Sequence, residues 1–284
     1  MRNDEAPPSA SDRETTGRRA DRAPVIAVVN QKGGVGKTTT VINLGAAIAD
    51  LGHRVVVVDL DPQANSTSGL GVDPEQERPG IYEVLFRDAR VPDVLVPTSN
   101  PGLELVPSHS GLAGAEIELA AQPAREHRLR DALDDLPAGV AVVLVDCPPS
   151  LGLLTINGLT AASEMLVPLQ AEYFALEGLS HLLHTQQLVR VRLNPRLVLG
   201  GILLTLFDSR TTLAWEVLQE VRRAYPDRVL RTLIPRNVRI SEAPSHGLPV
   251  TRYDPACRGA VAYRQLAEEL LIRLSLTIAK EPMP

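Results

Sequence analysis

The chain predicts an α/β domain built on a mostly parallel sheet with helices on both faces. Three observations carry this. Nearly continuous apolar runs recur at 25–29, 54–58, 103–106, 140–145, 164–169 and 197–206. Helix-like stretches lie between them, near 38–51, 111–136, 152–162, 175–193 and 211–224, and a last one covers 257–273. The runs lack polar alternation, which marks strands buried on both sides. At 284 residues the chain is long enough to bury one such core, and no internal repeat or second domain boundary interrupts the pattern.

Residues 1–23 hold five acids and five arginines and almost no large apolar side chain, so a disordered tail is expected there. The domain itself is expected over 24–275, with 276–284 as a C-terminal tail. Its first strand, Val25 to Val29, runs into Asn30-Gln31-Lys32-Gly33-Gly34-Val35-Gly36-Lys37-Thr38-Thr39 and then a helix to Leu51. A glycine-rich turn between a strand and a helix holds phosphate, because its N–H groups point inward and the helix N-terminus adds partial positive charge. Lys37 is placed to reach the β- and γ-phosphates, and the Thr38 hydroxyl to ligate Mg²⁺. This makes the fold a single P-loop NTPase domain. The spacing departs from G-x-x-x-x-G-K-[ST] in one respect: Gln31 stands where the first glycine belongs, and a second lysine, Lys32, follows it.

The second apolar run ends in Asp59-Leu60-Asp61-Pro62-Gln63. Extended chain puts residues two apart on one side, and ligands of open α/β sheets bind beyond the carboxyl ends of strands. Asp59 is thus placed to hold Mg²⁺ or its water, and Asp61 to orient or activate an attacking water. The run 142–145 ends in Asp146-Cys147-Pro148-Pro149-Ser150, and an apolar strand ending in Asp supplies the Mg²⁺-side acid of P-loop NTPases. Cys147 reads as a small buried residue. In the 211–224 helix, Leu213, Val217 and Val221 fall on one face, Thr211 or Thr212 serves as cap, and Trp215 reads as packing.

Downstream, Ile234-Pro235-Arg236-Asn237-Val238-Arg239 and Ser241-Glu242-Ala243-Pro244-Ser245-His246-Gly247 are too polar and proline-broken for a helix or central strand, so a surface loop is expected. Asn237 carries the donor and acceptor that an adenine edge needs, and Pro235 offers a surface for the ring. His246 reads as structural or turn-forming.

Composition narrows the class. Apolar residues make up 44% and charged residues 22%, ordinary for a globular protein. The apolar run from Leu197 to Phe207 is too short to cross a bilayer, and the N-terminus lacks the apolar centre of a secretory signal, so a cytoplasmic protein is expected. Cys147 and Cys257 show no C-x-x-C spacing and read as reduced thiols. Net charge is −5, yet residues 186–240 carry ten arginines against Asp208, Glu216, Glu220 and Asp227, leaving that segment at +6 and the remainder at −11. Such asymmetry reads either as a basic face on an acidic protein or as arginines scattered and solvated over the surface.

The deviant phosphate loop, the D-x-D-P-Q and V-D-C-P-P-S strand ends and the P-R-N-V-R-x-S-E-A-P-S-H-G loop together resemble the ParA/Soj chromosome- or plasmid-partitioning ATPases of the deviant Walker A group, from about Pro24 to Leu271. The resemblance implies hydrolysis of ATP with Mg²⁺ in a homodimer that sandwiches two nucleotides. Lys32 matches the lysine that crosses to the partner's ATP, and Gly33 lies where the two loops face each other. Gly34, Val35, Gly36, Lys37, Thr38 and Thr39 match the nucleotide-binding positions, and Pro235 and Asn237 the adenine-contacting loop. Asp61 matches the water-orienting acid; Thr38, Asp59 and Asp146 match the Mg²⁺ side. Arg210 and Arg239, both inside the +6 segment, match basic residues through which ATP-bound dimers grip double-stranded DNA without sequence preference. A ParB-like partner that stimulates hydrolysis and a nucleoid location without membrane attachment are implied as well.

Other readings of the same loop stay in view. A membrane-positioning module of MinD type carries a basic amphipathic C-terminal helix, whereas Leu270 to Lys280 has only Arg273 and Lys280 as cations. A cluster-carrying relative such as nitrogenase reductase needs paired cysteines, and Cys147 and Cys257 do not sit at that family's positions. A relative that positions some other cargo remains open.

Overall fold

Strands β1 (Val25–Val28), β2 (Arg54–Asp59), β3 (Val96–Pro97), β4 (Leu103–Val106), β5 (Val140–Asp146), β6 (Glu164–Gln170) and β7 (Val198–Thr205) form one sheet in the order β3-β4-β2-β5-β1-β6-β7. They belong to a computed structural model that describes residues 22–76, 78–173 and 175–277. The readings made for 1–21 and 278–284 lie outside the described residues. Arg22 pairs with Asp134, and Leu276 packs on the core.

Every pairing is parallel except that of β3, a two-residue antiparallel edge that the sequence pattern did not suggest. The continuous apolar runs behave as expected of central strands. In β2, Val56 and Val58 enter one core layer and Val55 and Val57 the other; in β5, Val143 and Val145 oppose Val142 and Leu144. A fully buried side chain of this kind contributes roughly 1.5–3 kcal/mol.

One face of the sheet is covered by α1 (Lys37–Asp50). The short helices α2 (Asn65–Gly69), α3 (Ile81–Phe86) and α4 (Val91–Val94) follow β2. The expected helix over 111–136 is instead two short ones, α5 (Ala115–Ala120) and α6 (Arg128–Ala132), with one 3₁₀ turn (Arg125–His127) between them and one on either side. Pro123 is the reason: it has no N–H to donate and disfavours helix at the residue before it, and Ala124 after it turns left-handed at φ 50°. Helices α7 (Leu153–Ala161), α8 (Ala175–Arg192) and α9 (Thr212–Ala224) cover the other face. In α9 the buried residues are Ala214, Val217, Leu218 and Val221; Leu213 lies at the margin and is half-exposed. Trp215 packs edge-on against Phe207 with centroids 5.1 Å apart, as its packing role required.

The segment expected to be a surface loop contains a helical turn, α10 (Val238–Glu242), continued by a 3₁₀ turn over Ala243–His246. Pro235 lies before the first helical turn and Pro244 within the first turn of the 3₁₀ segment, positions where a missing N–H costs little. Asn237 caps α10 by accepting the Arg239 N–H at 2.8 Å. His246 stacks on Tyr253 at 4.8 Å, in keeping with a structural role. Then α11 (Val250–Tyr253) and α12 (Arg258–Arg273) return to pack on α1's face of the sheet. No described helix is long and apolar enough to cross a membrane.

Candidate active site

The carboxyl ends of β1, β2, β5, β6 and β7 converge on the loop from Asn30 to Gly36. Asn30 anchors its start: its amide donates to Pro168 O at 2.7 Å and its carbonyl accepts the Lys32 N–H at 2.9 Å. Gly34 and Gly36 hold φ of 75° and 85°, a region strained for any side chain. Val35 is buried beneath the crown, and its carbonyl accepts the Thr205 hydroxyl at 2.7 Å. The loop feeds α1, whose first turn carries no acidic residue to neutralise its free N–H groups.

Two lysines leave this loop in different company. Lys37 is buried, and its ammonium donates to Lys32 O at 3.4 Å. Burial pushes its pKa down, against the opposing pull of Asp146 and Asp61. Lys32 is exposed and ion-paired with Glu172, just beyond the end of β6. Between them, Gly33 is exposed, and a Cβ built there meets nothing within 4 Å.

Asp59 and Asp146 are register partners on neighbouring strands, both fully buried. Burial and the charge of Asp146 raise the Asp59 pKa to about 8, while Thr67 opposes with its N–H at 2.8 Å and its hydroxyl at 2.7 Å. Asp146 is raised to about 6 by burial, with the Ser66 and Thr38 hydroxyls pulling the other way. Its Oδ1 is buried without a hydrogen-bond partner. Two adjacent buried carboxylates, one with an orphaned oxygen and a threonine hydroxyl beside it, fit a hard divalent cation bound through oxygens. Asp61 is also buried. Its N–H donates to Asp59 at 3.1 Å, its carboxylate accepts the Gln63 N–H at 2.9 Å, and its carbonyl accepts the Ser108 hydroxyl at 2.8 Å.

The loop around Pro235 and Asn237, expected to contact the adenine, is attached to the same end of the sheet. Phe207, two residues past Thr205, bridges Pro235 in parallel fashion: its N–H donates to Ile234 O at 2.9 Å and its carbonyl accepts the Arg236 N–H at 3.1 Å. Because the Asn237 carbonyl is spent on the α10 cap, its amide nitrogen is the group left to donate to a ring nitrogen. Arg210 and Arg239, by contrast, both face acids. Arg210 is bidentate to Asp208 at 2.9 and 2.7 Å, which holds that carboxyl down to about 2. Arg239 pairs with Glu242 at 2.9 Å and Asp254 at 3.4 Å.

Several residues of the site escaped the sequence reading: Ser66, Thr67, Ser108, Thr205, Asn30 and Glu172. For the first two a signal existed, a pair of hydroxyls just past an acidic strand end; Asn30 heads the phosphate loop itself, and the other three come from distant segments. Cys147 is buried, its thiol pushed up chiefly by burial, and Cys257 caps α12 by accepting the Ala260 N–H.

A phosphate cradle on the first strand, flanked by two strand-end aspartates, defines a P-loop ATPase. Comparison with known proteins narrows this. A profile described as "AAA domain" matches residues 23–199. The sporulation initiation inhibitor protein Soj of Bacillus subtilis is 51% identical over 246 residues, covering 87% of this chain and 97% of that protein. The chromosome partitioning protein ParA of Caulobacter vibrioides is 51% identical over 251 residues, covering 88% and 94%. Among solved structures, cobyrinic acid a,c-diamide synthase from Mycobacterium smegmatis, with a bound ATP analogue and magnesium, is 43% identical with a TM-score of 0.79, covering 92% and 98%. The chain belongs to the Soj/ParA family of chromosome-partitioning ATPases.

Proposed function

We propose that this chain is a DNA-partitioning ATPase that closes into an ATP-sandwich dimer, holds DNA without sequence preference in that state, and lets go when a ParB-like partner stimulates hydrolysis. One observation carries the reading. The loop needs a single lysine for its own phosphates, and Lys37 is the one curled inside it; Lys32 stands outside on Glu172, beside the open backbone of Gly33. A second subunit approaching that face brings each Lys32 to the other's nucleotide.

The chemistry then follows from the chain's own groups. The loop N–H groups and Lys37 bind the β- and γ-phosphate oxygens. Thr38, Asp59 and Asp146 hold Mg²⁺, which when bound neutralises phosphate charge. Asp61 orients the attacking water in line with the γ-phosphoryl group. Lys32 of the opposing subunit neutralises charge on the equatorial oxygens as the leaving group departs, the role an arginine finger plays elsewhere. Pro235 and Asn237 take the adenine. Arg210 and Arg239 contact DNA phosphates, which makes binding steeply dependent on salt.

Co-sedimentation of the full chain with duplex DNA and with anionic liposomes, each with and without ATP, tests this. ATP-dependent DNA binding is expected. Binding to liposomes alone favours a membrane-positioning module, and binding to neither favours another cargo.

A further inference from the structure

The +6 segment is not one face. Arg190 and Arg192 lie in the last turn of α8 and Arg196 just before β7, at the amino end of the strands. Arg222 and Arg223 lie in the last turn of α9, which runs back to that same end. Arg228 donates to Leu199 O beside the start of β7, and Arg231 sits against Glu269 of α12. Only three of the ten arginines emerge where β7 ends: Arg210 three residues after Phe207, and Arg236 and Arg239 just after its bridge partner Pro235.

Arg236 differs from the other two. Arg210 is tied to Asp208, and Arg239 to Glu242 and Asp254. Arg236 is exposed and, among the described residues, has no ion-pair partner. Its backbone is fixed by the 3.1 Å bond from its N–H to Phe207 O, so the side chain projects from an ordered platform. It also stands near enough to the Asp208–Arg210 pair for its charge to act on Asp208. An unpaired arginine on a fixed backbone loses no internal partner when a phosphate arrives, whereas Arg210 and Arg239 must each leave a carboxylate.

We propose that Arg236 is a third DNA-phosphate contact of this face, available without the breaking of an intramolecular ion pair. The proposal rests on the DNA-binding reading above and adds a residue to it.

The test is fluorescence anisotropy of a labelled duplex of arbitrary sequence, titrated with full-length protein in ATP and Mg²⁺ across a range of salt. The variants are Arg236→Ala, Arg236→Lys, Arg210→Ala and Arg239→Ala, with nucleotide affinity measured separately on each. Arg236→Ala is expected to lower affinity about eightfold per engaged protomer at 0.1 M salt and to reduce the log–log salt slope by about one unit per protomer. Arg236→Lys keeps the slope, and neither variant changes nucleotide affinity. An unchanged slope in Arg236→Ala while Arg210→Ala and Arg239→Ala lose affinity overturns this inference alone. Reduced nucleotide affinity in Arg236→Ala assigns the residue to the base pocket and overturns it too. Indifference of DNA binding to all three arginines removes this face, whereas absence of ATP-dependent DNA binding in the unsubstituted protein removes the broader DNA reading.

Discussion

The hydroxyl of Thr205 donates a 2.7 Å hydrogen bond to the carbonyl of Val35, joining the end of β7 to the crown of the phosphate loop. Both residues are buried. Two residues further on, Phe207 bridges Pro235. The phosphate loop and the Pro235–Asn237 segment proposed to take the base are therefore both fastened to one strand end. Thr205→Val keeps the shape and removes the donor, leaving the Val35 carbonyl unsatisfied. A loss of about 1–3 kcal/mol in chemical denaturation is expected, together with weaker ATP binding. Unaltered denaturation and nucleotide titrations would show that the bond does not hold the loop.

Gly33 offers a cleaner separation of fold from assembly. No neighbour in the chain obstructs a side chain there. Gly33→Val is expected to fold with wild-type stability and to bind ATP, yet to remain monomeric in light scattering with ATP and Mg²⁺. Dimerisation at the wild-type concentration would place the subunit contact elsewhere.

For Lys32 the expectation is a split between binding and turnover. Its pair with Glu172 is exposed on both sides, so Lys32→Ala changes stability by less than about 1 kcal/mol. Nucleotide affinity of the monomer persists, while dimerisation or partner-stimulated hydrolysis is lost. Normal stimulated phosphate release from this variant refutes the role across the interface.

Asp61→Ala removes the acid proposed to orient the attacking water but leaves Asp59 and Asp146 in place. This variant is expected to accumulate as an ATP-bound dimer that retains DNA and releases phosphate at a small fraction of the wild-type rate. Single-turnover hydrolysis measures it, and a wild-type rate would remove Asp61 from the chemistry.

Ser66→Ala tests how the buried acids are held. The Ser66 hydroxyl donates to Asp146 at 2.7 Å, and its loss leaves that carboxylate with less support in an apolar setting. Stability without Mg²⁺ is expected to fall by about 1–3 kcal/mol, and added Mg²⁺ with nucleotide recovers part of it by binding the folded state. Equal stability of the two proteins in the absence of Mg²⁺ contradicts this account.

Much of the site was legible because it is local. Lys37 and Thr38 sit beside their glycines in the chain, and Asp59, Asp61 and Asp146 each close a recognisable apolar run. Local chemistry also explains where the reading slipped. Pro123 breaks the helix expected over 111–136, whereas Pro235 lies before a helical turn and Pro244 in the first turn of the 3₁₀ segment, where neither breaks it. Leu213 was assigned to the buried face of α9 by spacing alone, but burial begins one residue later, at Ala214. The charge count found ten arginines, yet could not tell which of them share an end of the sheet.

Sequence alone determined the layered α/β architecture, the cradle and the acids at the strand ends. Each depends on side-chain periodicity or on residues a few positions apart. Tertiary structure decided which distant groups complete the site. Thr205 reaches Val35 across 170 positions, Glu172 reaches Lys32 across 140, and Ser66 reaches Asp146 across 80. Those meetings follow from strand order, which brings the carboxyl ends of β5, β1, β6 and β7 side by side. No local pattern encodes that order, because it is settled by how all the apolar faces bury together.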